Sequence, residues 1–231
     1  MSNFEFYITI IWELWNHRNN VVLGKKTWNQ PELVQWTGSF LEEFRDANKT
    51  TVRREEERPT KPRWMPPMQG TISVTVDAAL DRDQGGFGVG CIARDHTGRV
   101  LASQTFSQAW GFTPQLAEAF AVLQGVVLAS SIGGSRLELH SDCSEVVKAV
   151  AGGEIPTTEL GTILQRIKRE VRNLIEFKIL HIPRLCNIAA HNLARFAVTH
   201  RSNSRWMALV PPCSEEAIRA DDREIQSHLS G

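Results

Sequence analysis

The sequence predicts an α/β protein in which helices pack against a mixed sheet of five strands. Apolar and polar residues alternate from Ile72 to Ala79, which is typical of a strand with one buried face. After Pro114 the apolar residues change to helical spacing, and after Gly133-Gly134 a short strand-like run follows. The resulting order, β-β-β-α-β-α-α-β-α, favours a single mixed sheet flanked by helices.

Residues 1–50 predict a helical arm. Apolar residues, among them two tryptophans, recur at helical spacing from residue 3 to about 23, and a second helical stretch runs from Pro31 to about Ala47. The apolar stripe of this arm is a candidate face for a protein partner, with base stacking as the alternative. Residues 51–70 change to clustered charges and then to prolines, which predicts an exposed linker.

The folded domain is expected at residues 71–200, followed by a C-terminal tail at 201–231. Three antiparallel strands at 72–79, 87–94 and 99–106 are joined by a glycine-rich turn and by the turn Asp95–Gly98. Pro114 can open a helix at 115–131, which Gly133-Gly134 ends. The remaining elements are a strand at 136–140, helices at 143–151 and 159–173, a strand at 176–182 and a helix at 187–199.

Composition limits the classes of function. Lys plus Arg equals Asp plus Glu at 26 each, so no whole-chain charge attracts a polyanion, and any nucleic-acid contact would be local. The four cysteines are far apart and form no CxxC pair, which argues against a zinc site and a disulfide framework. No stretch approaches the roughly 18 apolar residues of a membrane span, and no basic region precedes the apolar N-terminus. We therefore expect an intracellular protein that is neither secreted nor membrane-bound, in the nucleus or the cytoplasm.

Three acidic residues stand where a chain normally has apolar ones. Asp77 ends a strand-like run, Glu118 interrupts the helical run Leu116–Leu123, and Asp142 follows the next strand. A buried carboxylate is costly unless it is paired or bound to a cation, and none of the three runs contains Lys or Arg. One divalent metal site would satisfy all three. Each also has an ordinary interpretation: Asp142 as a helix N-cap, Asp77 as a turn residue and Glu118 as a helix-surface carboxylate.

Six short strings within residues 64 to about 206 resemble, in their order, the type 1 ribonuclease H fold. The strings are Val76-Asp77-Ala78-Ala79, Gly86-Phe87-Gly88-Val89-Gly90, Ala93-Arg94-Asp95, Ala117-Glu118-Ala119, His140-Ser141-Asp142-Cys143 and Arg184-Leu185-Cys186-Asn187-Ile188-Ala189-Ala190-His191. Together they look like the reverse-transcriptase-associated ribonuclease H domains of plant retroelements and their domesticated relatives. The strings Trp12–Asn19 and Arg63–Pro67 are similar to the segment that precedes such domains, so we expect the arm to be retroelement-derived as well.

The resemblance implies a ribonuclease H-like fold and metal-dependent endonucleolytic hydrolysis of the RNA strand of RNA/DNA hybrids. It makes Asp77, Glu118 and Asp142 the ligands of two Mg²⁺ ions, with Asp77 bridging them and with Mn²⁺ as a second candidate ion. His191 stands where well-studied active relatives carry a fourth acid, and it joins these three as a candidate catalytic residue. This departure keeps open an alternative function, a catalytically weak or inactive module for nucleic-acid binding or assembly.

Four more residues are candidates for contacts with nucleic acid, namely Arg94, Arg184, Asn187 and Arg195. A protein of this kind would recognise hybrid or double-stranded RNA by backbone shape and 2′-hydroxyls, with arginines placed against phosphates. We expect the chain to act as a monomer.

Overall fold

The computed structural model describes residues 3–22, 37, 62–81, 85–109, 113–152 and 155–229. The chain divides into two compact units, Met1–Thr60 and Lys61–Gly231. In the first unit, helix α1 spans Asn3–Val22 and exposes the apolar side chains of Tyr7, Ile11, Leu14 and Trp15. The second helix predicted for the arm, apart from Thr37, and the linker residues 51–61 lie outside the described residues. No described helix has the length and apolar content that a membrane crossing requires.

The second unit is built on one mixed sheet. Its strands are β1 (Ile72–Asp81), β2 (Gly86–Arg94), β3 (Val100–Gln108), β4 (Arg136–Ser141), β5 (Glu176–His181) and β6 (Arg205–Met207). Their order across the sheet is β5-β4-β1-β2-β3-β6. The β1-β2-β3 meander is antiparallel, whereas β1, β4 and β5 run parallel. This is the predicted mixed α/β architecture.

The predicted count of five strands is wrong by one, because β6 adds an antiparallel edge strand to β3. Three residues are too few to produce a recognisable alternation of apolar and polar side chains. The sequence predicts only a tail after residue 200, whereas the structure contains both β6 and a long helix there.

Among the described residues of this unit there are also five helices and a short 3₁₀ turn, Arg184–Cys186. The helices are α2 (Pro114–Ser131), α3 (Ser144–Ala151), α4 (Glu159–Val171), α5 (Ile188–His200) and α6 (Pro212–Leu229). Helix α2 begins as predicted, with Pro114 in its first turn and the Thr113 side chain accepting a hydrogen bond from the Leu116 amide.

The sheet separates two apolar clusters. The larger contains Val74 and Val76 of β1 together with buried side chains of α2, α3 and α4. The smaller joins Ile92 of β2 to Leu193 of α5 and Ile218 of α6. Because successive residues of a strand face opposite sides of the sheet, Asp77 lies on the face that α5 covers.

Helix α5 lies against β2 at backbone distance. A Cβ atom added to Gly90 would stand 2.3 Å from the Ala190 carbonyl oxygen, and one added to Gly88 would stand 2.5 Å from the Ala194 carbonyl oxygen. Only glycine on the strand and small residues on the helix permit this approach. The start of α5 is thereby held over β1 and β2.

Replacing Gly90 with alanine is expected to lower the free energy of unfolding by about 1–3 kcal/mol or more, because the added methyl group meets helix backbone that cannot move aside cheaply. Urea unfolding followed by circular dichroism measures this change. The matched control is Gly152→Ala at the exposed end of α3, where the nearest atom, the Lys148 carbonyl oxygen, is 3.1 Å from the added Cβ. The control should change stability by no more than about 0.5 kcal/mol. Equal stability of the two variants would contradict the close approach of α5.

Candidate metal centre

The structure brings three acidic side chains together at one edge of the sheet. Asp77, Glu118 and Asp142 each offer a carboxylate oxygen, and the three oxygens lie within 4.8 Å of one another. The sheet topology explains part of this convergence. The parallel strands β1 and β4 pair at Thr75 and His140. Asp77 lies two residues after Thr75, and Asp142 lies two residues after His140, so both aspartates reach the same edge of the sheet. Thus residues 65 positions apart in sequence reach the same edge.

Glu118 reaches the cluster because α2 packs closely on β1. Its neighbours Ala117 and Ala119 are fully buried, and a Cβ atom on Gly125 would stand 2.5 Å from Val76 Cγ1. Small residues on this face of α2 therefore bring the helix, and the Glu118 carboxylate with it, close to the strand.

The negative charge of the cluster is only partly compensated by the residues around it. Burial is the largest cause that raises the pKa of Glu118 to about 9, and the charges of Asp77 and Asp142 act in the same direction. A hydrogen bond from the Ala78 amide and the charge of Arg184 act in the opposite direction. Glu118 Oε2 is buried and has no hydrogen-bond partner in the described part of the chain. A buried carboxylate oxygen without a donor is the arrangement that a bound cation would satisfy.

Asp77 is 4% exposed and contacts His191 of α5. His191 Nδ1 lies 2.7 Å from Asp77 Oδ2. Burial raises the pKa of Asp77 to about 6, the hydrogen bond from His191 lowers it, and the charge of Asp142 raises it. The structure thus places all four predicted catalytic side chains in one cluster.

Asn187 is predicted as a nucleic-acid contact, and this prediction is wrong because the residue is 1% exposed. Its Nδ2 donates hydrogen bonds to the Val76 carbonyl oxygen at 3.0 Å and to Asp142 Oδ1 at 3.1 Å. The interpretation of Asp142 as a helix N-cap is wrong as well, since the N-cap residue of α3 is Cys143.

Arg94 is also wrongly predicted to contact nucleic acid. Its side chain is 1% exposed, forms an ion pair with Asp221 at 2.7 Å and lies 4.0 Å from the centre of the Trp64 ring. A guanidinium held in this way cannot reach a phosphate. Arg184 and Arg195 are exposed and remain candidates for that contact.

One residue at the edge of the cluster, His181, is not among the residues that the sequence predicts for the site. His181 is exposed, and its Nε2 donates to the Asp142 carbonyl oxygen at 3.2 Å. It pairs with Ser141 across the parallel strands β4 and β5. The available signal was its position at the carboxyl end of a strand parallel to the one that precedes Asp142.

The side chains present fit a hard divalent cation. All three acids offer oxygen atoms, which Mg²⁺ and Mn²⁺ prefer, and no cysteine among the described residues belongs to the cluster. The unpartnered Glu118 Oε2 and the mutual repulsion of the three carboxylates both favour a cation at this place.

Comparison with known proteins gives a family and a fold. The family described as reverse transcriptase-like matches residues 75–197, slightly more than half of the chain. No curated protein matches the chain.

Three solved structures are similar to this chain. The ribonuclease H1 of the archaeon Halobacterium salinarum is 22% identical with a TM-score of 0.53, over 57% of this chain and 99% of its own. The N-terminal ribonuclease H domain of a Mycobacterium tuberculosis protein, solved as a fusion with maltose-binding protein, is 19% identical with a TM-score of 0.53, over 56% and 94%. LC11 ribonuclease H1, solved in complex with an RNA/DNA hybrid, is 21% identical with a TM-score of 0.50, over 56% and 98%. These similarities confirm the predicted ribonuclease H-like fold.

Replacing Glu118 with glutamine is expected to stabilise the metal-free protein at about pH 8. Because the folded-state pKa of about 9 exceeds the ordinary value of 4.5, the folded protein retains a proton that the unfolded chain releases. Below about pH 4.5 Glu118 is protonated in both states and does not oppose folding. As the pH rises from there towards 9, the free energy of unfolding falls, because only the unfolded chain releases the proton. The glutamine side chain keeps the shape without the charge. In EDTA the Tm of the variant should exceed that of the wild type by several degrees at high pH and by little at low pH, as measured by scanning calorimetry.

The control for this comparison is Glu216→Gln, an exposed position on α6, which should leave the pH dependence of Tm unchanged. A lower Tm for Glu118→Gln at about pH 8 would contradict the view that burial disfavours the charged form of Glu118.

Proposed function

The chain belongs to the reverse transcriptase-like family, and on this basis we propose that it is a ribonuclease H-type hydrolase that cleaves the RNA strand of RNA/DNA hybrids. The observation that carries the proposal is the convergence of Asp77, Glu118 and Asp142 within 4.8 Å. A protein of the same fold, LC11 ribonuclease H1, binds an RNA/DNA hybrid, and this supports the choice of substrate.

The carboxylates of Asp77, Glu118 and Asp142 are proposed to hold two divalent ions. When bound, such ions would activate a water molecule for attack on the phosphodiester and stabilise the leaving oxygen. Mg²⁺ is the first candidate because it prefers carboxylate oxygens. His191 would contribute by orienting Asp77 through its hydrogen bond of 2.7 Å. An imidazole at this position suits Mn²⁺ better than Mg²⁺, so Mn²⁺ is the second candidate.

Arg184 and Arg195 are proposed to contact the sugar-phosphate backbone of the hybrid. Both side chains are exposed. Arg184 begins the 3₁₀ turn before α5, and it is close enough to Glu118 to lower the pKa of that carboxyl group. A phosphate bound at Arg184 would therefore lie beside the acidic cluster.

The second candidate function is a nucleic-acid-binding or assembly module with weak hydrolysis or none. The presence of His191 in place of a fourth acid favours it, as does the zero net charge of the chain. Weak or absent turnover would follow if a fourth carboxylate is needed to hold the second ion.

The organisation of the whole chain is part of the proposal. We propose an arm at residues 1–50, a linker at 51–70, a ribonuclease H-like domain at 71–200 and a C-terminal segment at 201–231, whose β6 and α6 pack on that domain, in an intracellular monomer derived from a plant retroelement. The exposed apolar side chains of α1 are proposed to bind a protein partner.

The 231-residue chain is expected to cleave the RNA strand of a labelled RNA/DNA hybrid in Mg²⁺, and faster in Mn²⁺ because of the imidazole at position 191. Asp77→Asn should lose more than about 100-fold in rate, since removing a direct ligand costs more than removing an outer partner. Glu216→Gln, an exposed acid on α6, is the control and should cleave at the wild-type rate. Cleavage that survives in Asp77→Asn would mean a contaminating nuclease. Folded protein that binds the hybrid without cutting it in either metal would favour the second candidate function.

Alanine at Arg184 or at Arg195 is expected to weaken hybrid binding and to reduce the slope of log affinity against log salt concentration by roughly one unit each. Fluorescence anisotropy of a labelled hybrid at several salt concentrations measures both quantities. Arg136→Ala is the matched control, because Arg136 is an exposed arginine that begins β4 while Asp142 follows the far end of that strand. An equal salt slope in all three variants would remove Arg184 and Arg195 from the proposed interface.

A further inference from the structure

Asn187 is the N-cap residue of α5, yet its side chain does not cap the helix. Asparagine is preferred at this position because its side-chain oxygen accepts a hydrogen bond from the first turn. Here the backbone of Asn187 has φ −110° and ψ 10°, and no such hydrogen bond forms. The amide instead reaches across the fold to Val76 of β1 and to Asp142.

The chemistry of the two partners fixes the orientation of the amide. A main-chain carbonyl and a carboxylate both accept hydrogen bonds, so the NH₂ group of Asn187 must face them. Its Oδ1 then points elsewhere, and it is buried without a hydrogen-bond partner in the described part of the chain. The Asn187 side chain therefore does not cap α5, and its Oδ1 is a buried acceptor without a hydrogen bond in the described part of the chain. Such departures from local preference concentrate at functional sites.

We infer that Asn187 is a positioning residue, which ties the Asp142 carboxylate to the main chain of β1 next to Asp77. This inference rests on the proposed function, because the geometry that it maintains is that of the three metal-binding carboxylates. Asn187 acts through Asp142 and does not touch the substrate, since it is buried.

A neutral donor suits this role better than a charged one. Lysine or arginine at this place would also hold Asp142, but its charge would compete with a metal cation for the same carboxylates. An amide fixes the carboxylate and leaves the negative charge of the cluster intact.

Asn187 and His191 each form a hydrogen bond to a different aspartate of the cluster. They are one helical turn apart, and the His191 amide donates to the Asn187 carbonyl oxygen at 3.0 Å. Asn187 holds Asp142, and His191 holds Asp77. The first turn of α5 therefore sets the position of the Asp77 carboxylate in β1 relative to the Asp142 carboxylate, which directly follows β4.

The test is calorimetric titration of the 231-residue chain with Mg²⁺ and with Mn²⁺, alongside hybrid cleavage as a function of Mg²⁺ concentration. Asn187→Ala is expected to weaken metal affinity about 10–100-fold, the usual effect of removing a partner that orients a ligand. Its KM for the hybrid should stay unchanged. Asn187→Leu preserves the side-chain volume and should give the same loss, so a folding defect of the alanine variant does not decide the result.

Ser214→Ala is the matched control. Ser214 Oγ donates to the Ala189 carbonyl oxygen at 2.8 Å, so this variant removes an equally buried hydrogen bond to α5 that does not involve the acids. It should bind metal with wild-type affinity. A double-mutant cycle with Asp142→Asn separates positioning from general stability: if Asn187 acts through Asp142, the losses in metal affinity should be strongly non-additive.

Three results would overturn the inference, and they separate the role of Asn187 from the proposed function. Wild-type metal affinity in both Asn187 variants, or additive losses in the cycle, would reject the positioning role and leave the proposed hydrolase intact. A wild-type protein that binds neither Mg²⁺ nor Mn²⁺ would reject the proposed metal-dependent function, and the role of Asn187 with it.

Discussion

The arrangement of the site depends on the close contact between α5 and the sheet. Glycine at positions 88 and 90 of β2 allows the helix backbone to approach to a distance that a Cβ atom would block. At that distance the first turn of α5 reaches over β2 to β1, where Asn187 and His191 meet their acidic partners. If the helix stood one methyl group further away, neither hydrogen bond could keep its present length. A packing requirement of the core and a geometric requirement of the site are therefore met by the same glycines.

The acidic cluster illustrates a conflict between stability and function. Burial, together with the charges of the neighbouring acids, raises the pKa of Asp77 to about 6 and that of Glu118 to about 9. In the absence of a cation, these raised pKa values make stability fall as the pH rises from the ordinary pKa of each group to its folded-state pKa. The apolar packing of α2 on β1 and of α5 on β2 must offset this cost. A cation bound at the cluster would convert the same repulsion into affinity, because all three charges would favour it.

The segment that follows the matched family region supports α5 from its outer side. Ile218 of α6 joins the smaller apolar cluster, and Ser214 bonds to the main chain of α5 at Ala189. Arg94 links β2 to α6 through its ion pair with Asp221, and its guanidinium stacks on the ring of Trp64. Helix α5 is thus held between the glycines of the strand and the C-terminal helix. The buried arginine serves this packing and not the substrate.

The sequence by itself determined the order of the elements, most of their bounds and the identity of the acidic residues. These features are local: alternation marks β1, helical spacing after Pro114 marks α2, and a charged residue inside an apolar run is visible without coordinates. The strand β6 was missed because three residues carry no period. Helix α6 was missed because its buried stripe is narrow, with Ser214 and Ile218 buried among charged neighbours.

Only the tertiary structure decided the roles of the polar residues near the site. Arg94 and Asn187 look like surface groups in the sequence, since their residue types are usually exposed, but both are buried by contacts with residues more than forty positions away. A preference for a cap or for solvent is a local property, whereas the partner of a buried polar group is set by which segments the fold brings together. For that reason the sequence predicts the presence of the three acids, and the packing of α5 decides what holds them in place.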